Sequence, residues 1–157
     1  MPTDLPTNDV VAGQLELLAD LLELEGETAF RVLAYRRAAT RLRELDESIA
    51  QLALDGQAKE LPGIGAIIEE KIVQIVDDGE IHALTKRKDR IPPGVVSFLE
   101  LPGLGPKTAA RIWQELGVTT LDGLKDAAEA GRLRGLTGVG LRLEDRILKS
   151  LADAGGT

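Results

Sequence analysis

Apolar residues recur along this chain at the three- and four-residue spacing of amphipathic helices, and no stretch alternates with the two-residue period of a strand. From Asn8 to Glu25, Val11, Leu15, Leu18 and Leu22 share one face, and Gly26 is a stop signal. Asp20, Glu23 and Glu25 make the outer face acidic, which reads as solvated. Thr28 is placed to cap a second helix through about Arg43, with Phe30, Leu33 and Ala34 toward the core. A short third helix over residues 47–55 turns Ile49, Leu52 and Leu54 inward and stops at Gly56. A fourth runs to about Asp77 and stops at Gly79. These four predict a helical lobe over residues 8–79, preceded by a tail at 1–7 that carries two prolines.

The segment 80–92 holds the densest basic run, Lys86-Arg87-Lys88-Asp89-Arg90. It reads as an exposed helix end or linker, or as a linker that faces phosphate. Ile91-Pro92-Pro93-Gly94 breaks the helix and marks the boundary between lobes. Val95, Val96, Phe98 and Leu99 form a short helix, and Pro106 suits the first residue of the next, which Gly117 ends. Thr120-Leu121-Asp122 starts another, which Gly131 ends; Arg132 to Leu136 leads into a last helix reaching about Ala152. The second lobe is therefore 93–152, with 153–157 a frayed end. The fold class is all-α, in two small lobes.

One pattern organises both lobes. Leu61-Pro62-Gly63-Ile64-Gly65 recurs as Leu101-Pro102-Gly103-Leu104-Gly105, and more loosely as Leu136-Thr137-Gly138-Val139-Gly140. Each copy opens a helix that carries a basic residue and isoleucine: Lys71-Ile72, Arg111-Ile112 and Arg146-Ile147. The glycines permit backbone conformations and approaches that a Cβ obstructs. The apolar residue between them can plug into the core. The free N–H groups at such a helix start suit an anion, above all a backbone phosphate. The pattern resembles the helix-hairpin-helix motif, and that resemblance implies a unit that binds the DNA backbone without reading sequence. The bland alternative is a tight turn that only packs helices.

Composition narrows the classes. A length of 157 residues allows one large domain or two small ones. Cysteine is absent, which excludes disulfides and thiolate metal sites. No apolar run approaches about 18 residues, so no membrane partner is expected. The polar, acidic start Met1-Pro2-Thr3-Asp4 shows no signal peptide, and the expected location is cytoplasmic, at the nucleoid if the source is bacterial. The net charge of −7 opposes a simple nucleic-acid binder, but 12 acidic and 6 basic residues lie in 1–60, against 7 and 8 in 101–157. DNA binding of modest affinity and steep salt dependence is expected.

The order of parts resembles the family X DNA polymerases, the polymerase beta-like group, most of all its bacterial members. Residues 8–79 look like the amino-terminal lyase domain and about 93–150 like the fingers subdomain. The specific pieces are Ala34-Tyr35-Arg36-Arg37-Ala38-Ala39, the first hairpin through Lys71-Ile72, and Leu101 to Ile112. The resemblance implies sequence-independent binding of gapped or nicked duplex. In that family the lysine at the position of Lys71 attacks the aldehyde of an incised abasic site, and β-elimination releases 5′-deoxyribose phosphate. Such a step needs no cofactor. Arg111 and Arg146 stand at the same position in the other copies and cannot form a Schiff base. Tyr35 matches the pocket tyrosine, Arg31 and Lys59 match basic phosphate-binding positions, and Phe30 replaces a base-stacking histidine. Ile67 and Ala83 stand where family lyases place phosphate-binding lysines.

The resemblance further implies that amides near Gly63 and Gly65 meet one DNA strand, and those near Gly103, Gly105 and Lys107 another. Lys107, Arg111, Arg142 and Arg146 would lie near the phosphates, with Gly138 and Gly140 forming the third turn. A monovalent cation, K⁺ or Na⁺, would sit on the carbonyls of Lys59, Leu61 and Ile64, and a second on those of Leu99, Leu101 and Leu104. The catalytic palm of such polymerases carries an Asp-x-Asp pair, and none occurs here. The chain is then either part of a longer polymerase, partnered by a palm domain, or a freestanding relative. Two readings follow: a lyase acting through Lys71, or a binding module or interaction scaffold without chemistry.

Overall fold

The computed structural model describes residues 4–136 and 138–155, and among these all regular structure is helical. Met1–Thr3 of the expected tail, Thr137 of the third repeat and Gly156–Thr157 of the expected frayed end lie outside the described residues. The chain divides into two compact units, 1–87 and 88–157.

In the first unit, short hydroxyl side chains start the helices. Thr7 accepts the Val10 amide at the head of α1 (Asn8–Leu24), Thr28 the Arg31 amide at α2 (Ala29–Glu44), and Ser48 the Gln51 amide at α3 (Ile49–Leu54). Each satisfies an amide that a helix start leaves without a partner. A single 3₁₀ turn, Ala58–Glu60, leads to the first hairpin and α4 (Ala66–Asp78), which ends on left-handed Gly79. Helix α5 (His82–Arg90) follows, so the residues expected to link the lobes are helical, and the division between units falls within them.

The expected core face of α1 is observed: Val11, Leu15, Leu18 and Leu22 are buried. That of α2 is not. Phe30 is 86% exposed and Leu33 44%, while Val32, Tyr35, Ala38, Ala39 and Leu42 are buried. Seven contiguous residues from Ala29 to Tyr35 include six apolar or aromatic ones, so local periodicity fixes no phase. The alanines decide it, because a face of small side chains lets α2 pack against α1. In α3, Leu54 is likewise exposed, and Ala50 and Ala53 take the buried places beside Ile49.

The acidic face of α1 is not merely solvated. Arg36 donates to Asp20 at 2.8 Å and to Glu23 at 2.7 Å, and Arg43 to Glu16 at 2.5 Å. Arg87, its guanidinium largely buried, meets Glu25 at 3.1 Å. Two amides side chains brace the unit. Asn8 donates to the Leu45 and Glu47 carbonyls and accepts from the Ile49 amide, and Gln14 spans the Gly79 carbonyl and the Ile81 amide.

The second unit begins with α6 (Pro93–Phe98), where Val95 and Phe98 are buried. Gly94 has a reason of its own: a Cβ there would collide with the Thr119 carbonyl. Helix α7 (Pro106–Leu116) starts on its proline and ends at left-handed Gly117. Thr120 caps α8 (Leu121–Glu129), a 3₁₀ turn spans Leu133–Gly135, and α9 (Leu141–Gly155) closes the unit.

Candidate nucleic-acid interface

The three repeats fold alike. The amides of Ile64, Leu104 and Val139 donate to the carbonyls of Leu61, Leu101 and Leu136 at 3.0–3.1 Å, each closing a four-residue turn. The first glycine of each has positive φ, +86° at Gly63, +83° at Gly103 and +85° at Gly138. Proline at the second turn position, Pro62 or Pro102, followed by such a glycine, is the type II pattern. The residue between the glycines is the plug: Ile64, Leu104 and Val139 are all buried. So are Ile72, Ile112 and Ile147 one helical face later. Burying an isoleucine of this kind stabilises a fold by about 1.5–3 kcal/mol.

The second glycine behaves differently. Gly65 and Gly105 have ordinary extended φ values of −90° and −87°, and a Cβ on either would meet nothing within 4 Å. They are the caps of α4 and α7, and neither helix start has a side-chain hydrogen bond. The first capped amide is Glu69 N to the Gly65 carbonyl, and Ala109 N to that of Gly105. The amides of Ala66, Ile67 and Ile68, and of Lys107 and Thr108, precede these and have no helical acceptor. Four other helices, α1, α2, α3 and α8, use a Thr or Ser cap for such groups. The hairpin helices therefore present amides, with the positive end of the helix dipole, where an anion can take them.

Beside the first hairpin, an open cleft of about 720 Å³ brings together Phe30, Arg31, Tyr35, Ile67 and Lys71. Tyr35 is buried and Lys71 half-buried, its Nζ 6.0 Å from the centre of the Tyr35 ring. Arg31 reaches Glu27 at 3.2 Å. The apolar side chain of Ile67 is 68% exposed, and Ala83 lies half-buried in α5 rather than on this cleft's lining. Lys59 is exposed and its amide donates to Glu69 at 2.9 Å, an interaction that fixes the approach to the turn.

In the second unit the two hairpins exchange arginines. Arg146 of α9 lies over Gly103, and Arg111 of α7 over Gly138. Lys107 and Arg142 are exposed at the first turns of the same two helices. Glu144, 1% exposed, repeats the role of Glu69: it accepts the Arg134 amide at 3.3 Å and the Arg134 guanidinium at 2.6 Å. That hydrogen bond and charge hold the Arg134 guanidinium above its ordinary pKa. Sequence reading missed both this pair and the arginine exchange. The parallel spacing of Lys59 to Glu69 and Arg134 to Glu144, ten residues each, was the available signal.

The carbonyls of Leu61 and Leu101 each accept one turn amide and keep a second lone pair.

Residues 6–81 match the family described as helix-hairpin-helix domain, and residues 96–153 that described as SAM-like helix-hairpin-helix tandem. Both units thus match helix-hairpin-helix models, and the chain resembles the amino-terminal part of family X DNA polymerases. It is 37% identical over 141 residues to the DNA polymerase/3′-5′ exonuclease PolX of Bacillus subtilis (strain 168), a match covering 90% of this chain and 24% of that protein. It is 26% identical over 138 residues to DNA polymerase lambda of Rattus norvegicus, covering 88% and 22%. The chain thus spans about a quarter of the length of these curated relatives.

Proposed function

We propose that the chain is the DNA-binding part of a family X-type repair polymerase, gripping the backbone of gapped or nicked duplex through its hairpin amides. One observation carries this reading. The helices that follow Gly65 and Gly105 lack the Thr or Ser cap that α1, α2, α3 and α8 have. A phosphate oxygen there would satisfy amides that otherwise only water can reach. Lys107, Arg142 and Arg146 add charge around the second and third turns. Carbonyls of Lys59, Leu61, Ile64, Leu99, Leu101 and Leu104 are the groups that would hold a monovalent cation. Such an ion would offset phosphate charge at the turn.

The cleft at Lys71 supports a 5′-deoxyribose phosphate lyase. The amine would add to the sugar aldehyde with loss of water, and β-elimination would then break the C–O bond to the phosphate. The Tyr35 ring beside Lys71 supports that role. The exposed Ile67 favours a second reading, a non-catalytic gap-binding module, because it puts an apolar side chain where a phosphate needs charge. Borohydride trapping on gapped DNA bearing a 5′-deoxyribose phosphate separates them. The lyase requires a covalent adduct that Lys71→Ala abolishes while binding persists. Binding without an adduct leaves the module reading, and no binding at low salt overturns both.

A further inference from the structure

Helix α2 carries five arginines, and their fates differ. Arg31 pairs with Glu27, Arg36 with Asp20 and Glu23, and Arg43 with Asp9 and Glu16. Arg37 and Arg41 are exposed, and among the described residues neither has an ion-pair partner. They are four apart, hence on one face of the helix. Both line an open cleft of about 380 Å³ whose far wall is Pro62 and Gly63, the turn of the first hairpin. The Lys71 cleft lies on the other side of that turn and is walled by Gly65, Ala66 and Ile67. The hairpin tip thus stands between two clefts, each bordered by α2.

We propose that Arg37 and Arg41 form a second phosphate site, which holds the sugar–phosphate backbone of the same DNA strand after it passes the first hairpin. The inference rests on the DNA-binding reading above. From Arg31 in one cleft to Arg41 in the other is ten residues, about 15 Å of helix. That distance matches roughly four nucleotide steps at 3.4 Å of axial rise per strand. The partner chemistry follows from the side chains. Guanidinium groups that no carboxylate neutralises, beside an exposed turn, suit the bidentate acceptor geometry of a phosphodiester. Glu44 is the single carboxylate on the cleft lining, and it opposes the same anion. The site explains how a chain of net charge −7 keeps a local cationic path.

The test is fluorescence anisotropy of the full chain on a gapped duplex across a salt series. Replacing both residues, Arg37→Ala with Arg41→Ala, is expected to weaken binding about tenfold at low salt. It should also flatten the slope of log K against log[salt] by about one to two. Arg37→Lys with Arg41→Lys should restore the slope. Glu44→Gln should tighten binding a few-fold. Arg43→Ala, on the same helix but bound to Glu16, should leave the slope unchanged. A double alanine variant with the wild-type slope, or an equal loss in Arg43→Ala, overturns the site and leaves the hairpin reading standing. A polyglutamate peptide that competes with DNA in the wild type but not in the double variant reassigns the cleft to an acidic protein partner. Failure of the wild type to bind DNA at low salt overturns the hairpin reading itself.

Discussion

Arg146 lies across Gly103: a Cβ at that glycine would stand 2.9 Å from the arginine Nη1 and 3.0 Å from its Cδ. Gly103 is therefore constrained twice, by a φ of +83° and by the side chain above it. Gly63 has the same φ, within a few degrees, and open space around it. Gly103→Ala should cost more than Gly63→Ala. Left-handed strain alone is about 1–3 kcal/mol, and displacement of Arg146 adds to it at Gly103. Thermal unfolding of the two variants tests the order; equal losses would mean that Arg146 moves aside freely.

The glycine two residues on has the opposite character. Gly105 has ordinary φ, so nothing in the backbone requires glycine there. Gly105→Ser should supply the missing cap and raise stability by a few tenths of a kcal/mol. The same hydroxyl would occupy the amides and obstruct a phosphate, so DNA affinity should fall about tenfold or more. Stability and binding moving in opposite directions is the expected outcome. A variant that binds as wild type removes the hairpin amides from the interface.

Glu144 and Arg134 form an unequal pair. The carboxylate is 1% exposed, whereas the arginine side chain is 55% exposed. Arg134→Met leaves a buried carboxylate with only a backbone amide, and should be the more destabilising change of the two. Glu144→Gln keeps a side-chain acceptor and frees a solvated arginine, and should cost about 1 kcal/mol. Denaturant titrations should give that order. The reverse would show that the carboxylate reaches water.

Asp20 supplies a pH dependence. Burial raises its pKa above the ordinary carboxylate value, and the hydrogen bond and charge of Arg36 offset that only in part. The folded state thus holds this proton more tightly than the unfolded chain does. Stability from this group is present at low pH and is lost as pH rises through the folded pKa. Asp20→Asn, which cannot ionise, should gain stability relative to wild type as pH rises from the ordinary carboxylate range through the folded pKa of Asp20. A relative loss over that range would mean that pairing with Arg36 outweighs burial.

The elements with their own punctuation were legible in the sequence. Thr28, Gly26, Gly79, Pro106 and Gly117 act locally, and each stands at the helix end it announces. The hairpins were legible because the Leu-x-Gly-apolar-Gly pattern encodes its own turn. The phase of α2 was not, because Phe30, Val32, Leu33 and Ala34 offer an apolar residue in nearly every direction. Nor were the pairs between Arg36 and Asp20, Arg87 and Glu25, or Arg146 and Gly103. Those depend on which helices meet, and no short-range spacing records it. Gly105 taught the converse lesson. The repeat predicts both a backbone need and a close approach at that glycine; its backbone is ordinary, and its open surroundings leave room for the approach.

The bare amides at α4 and α7 belong to the main chain, and every residue type but proline supplies one. A grip built from them is almost invisible to point mutation. Most codon changes in these turns would leave the donors in place, and only the few that fill the space before them would register. At α4 and α7 such a grip would be guarded mainly through the space before the amides, whereas the cleft at Arg37 and Arg41 would be guarded through its side chains.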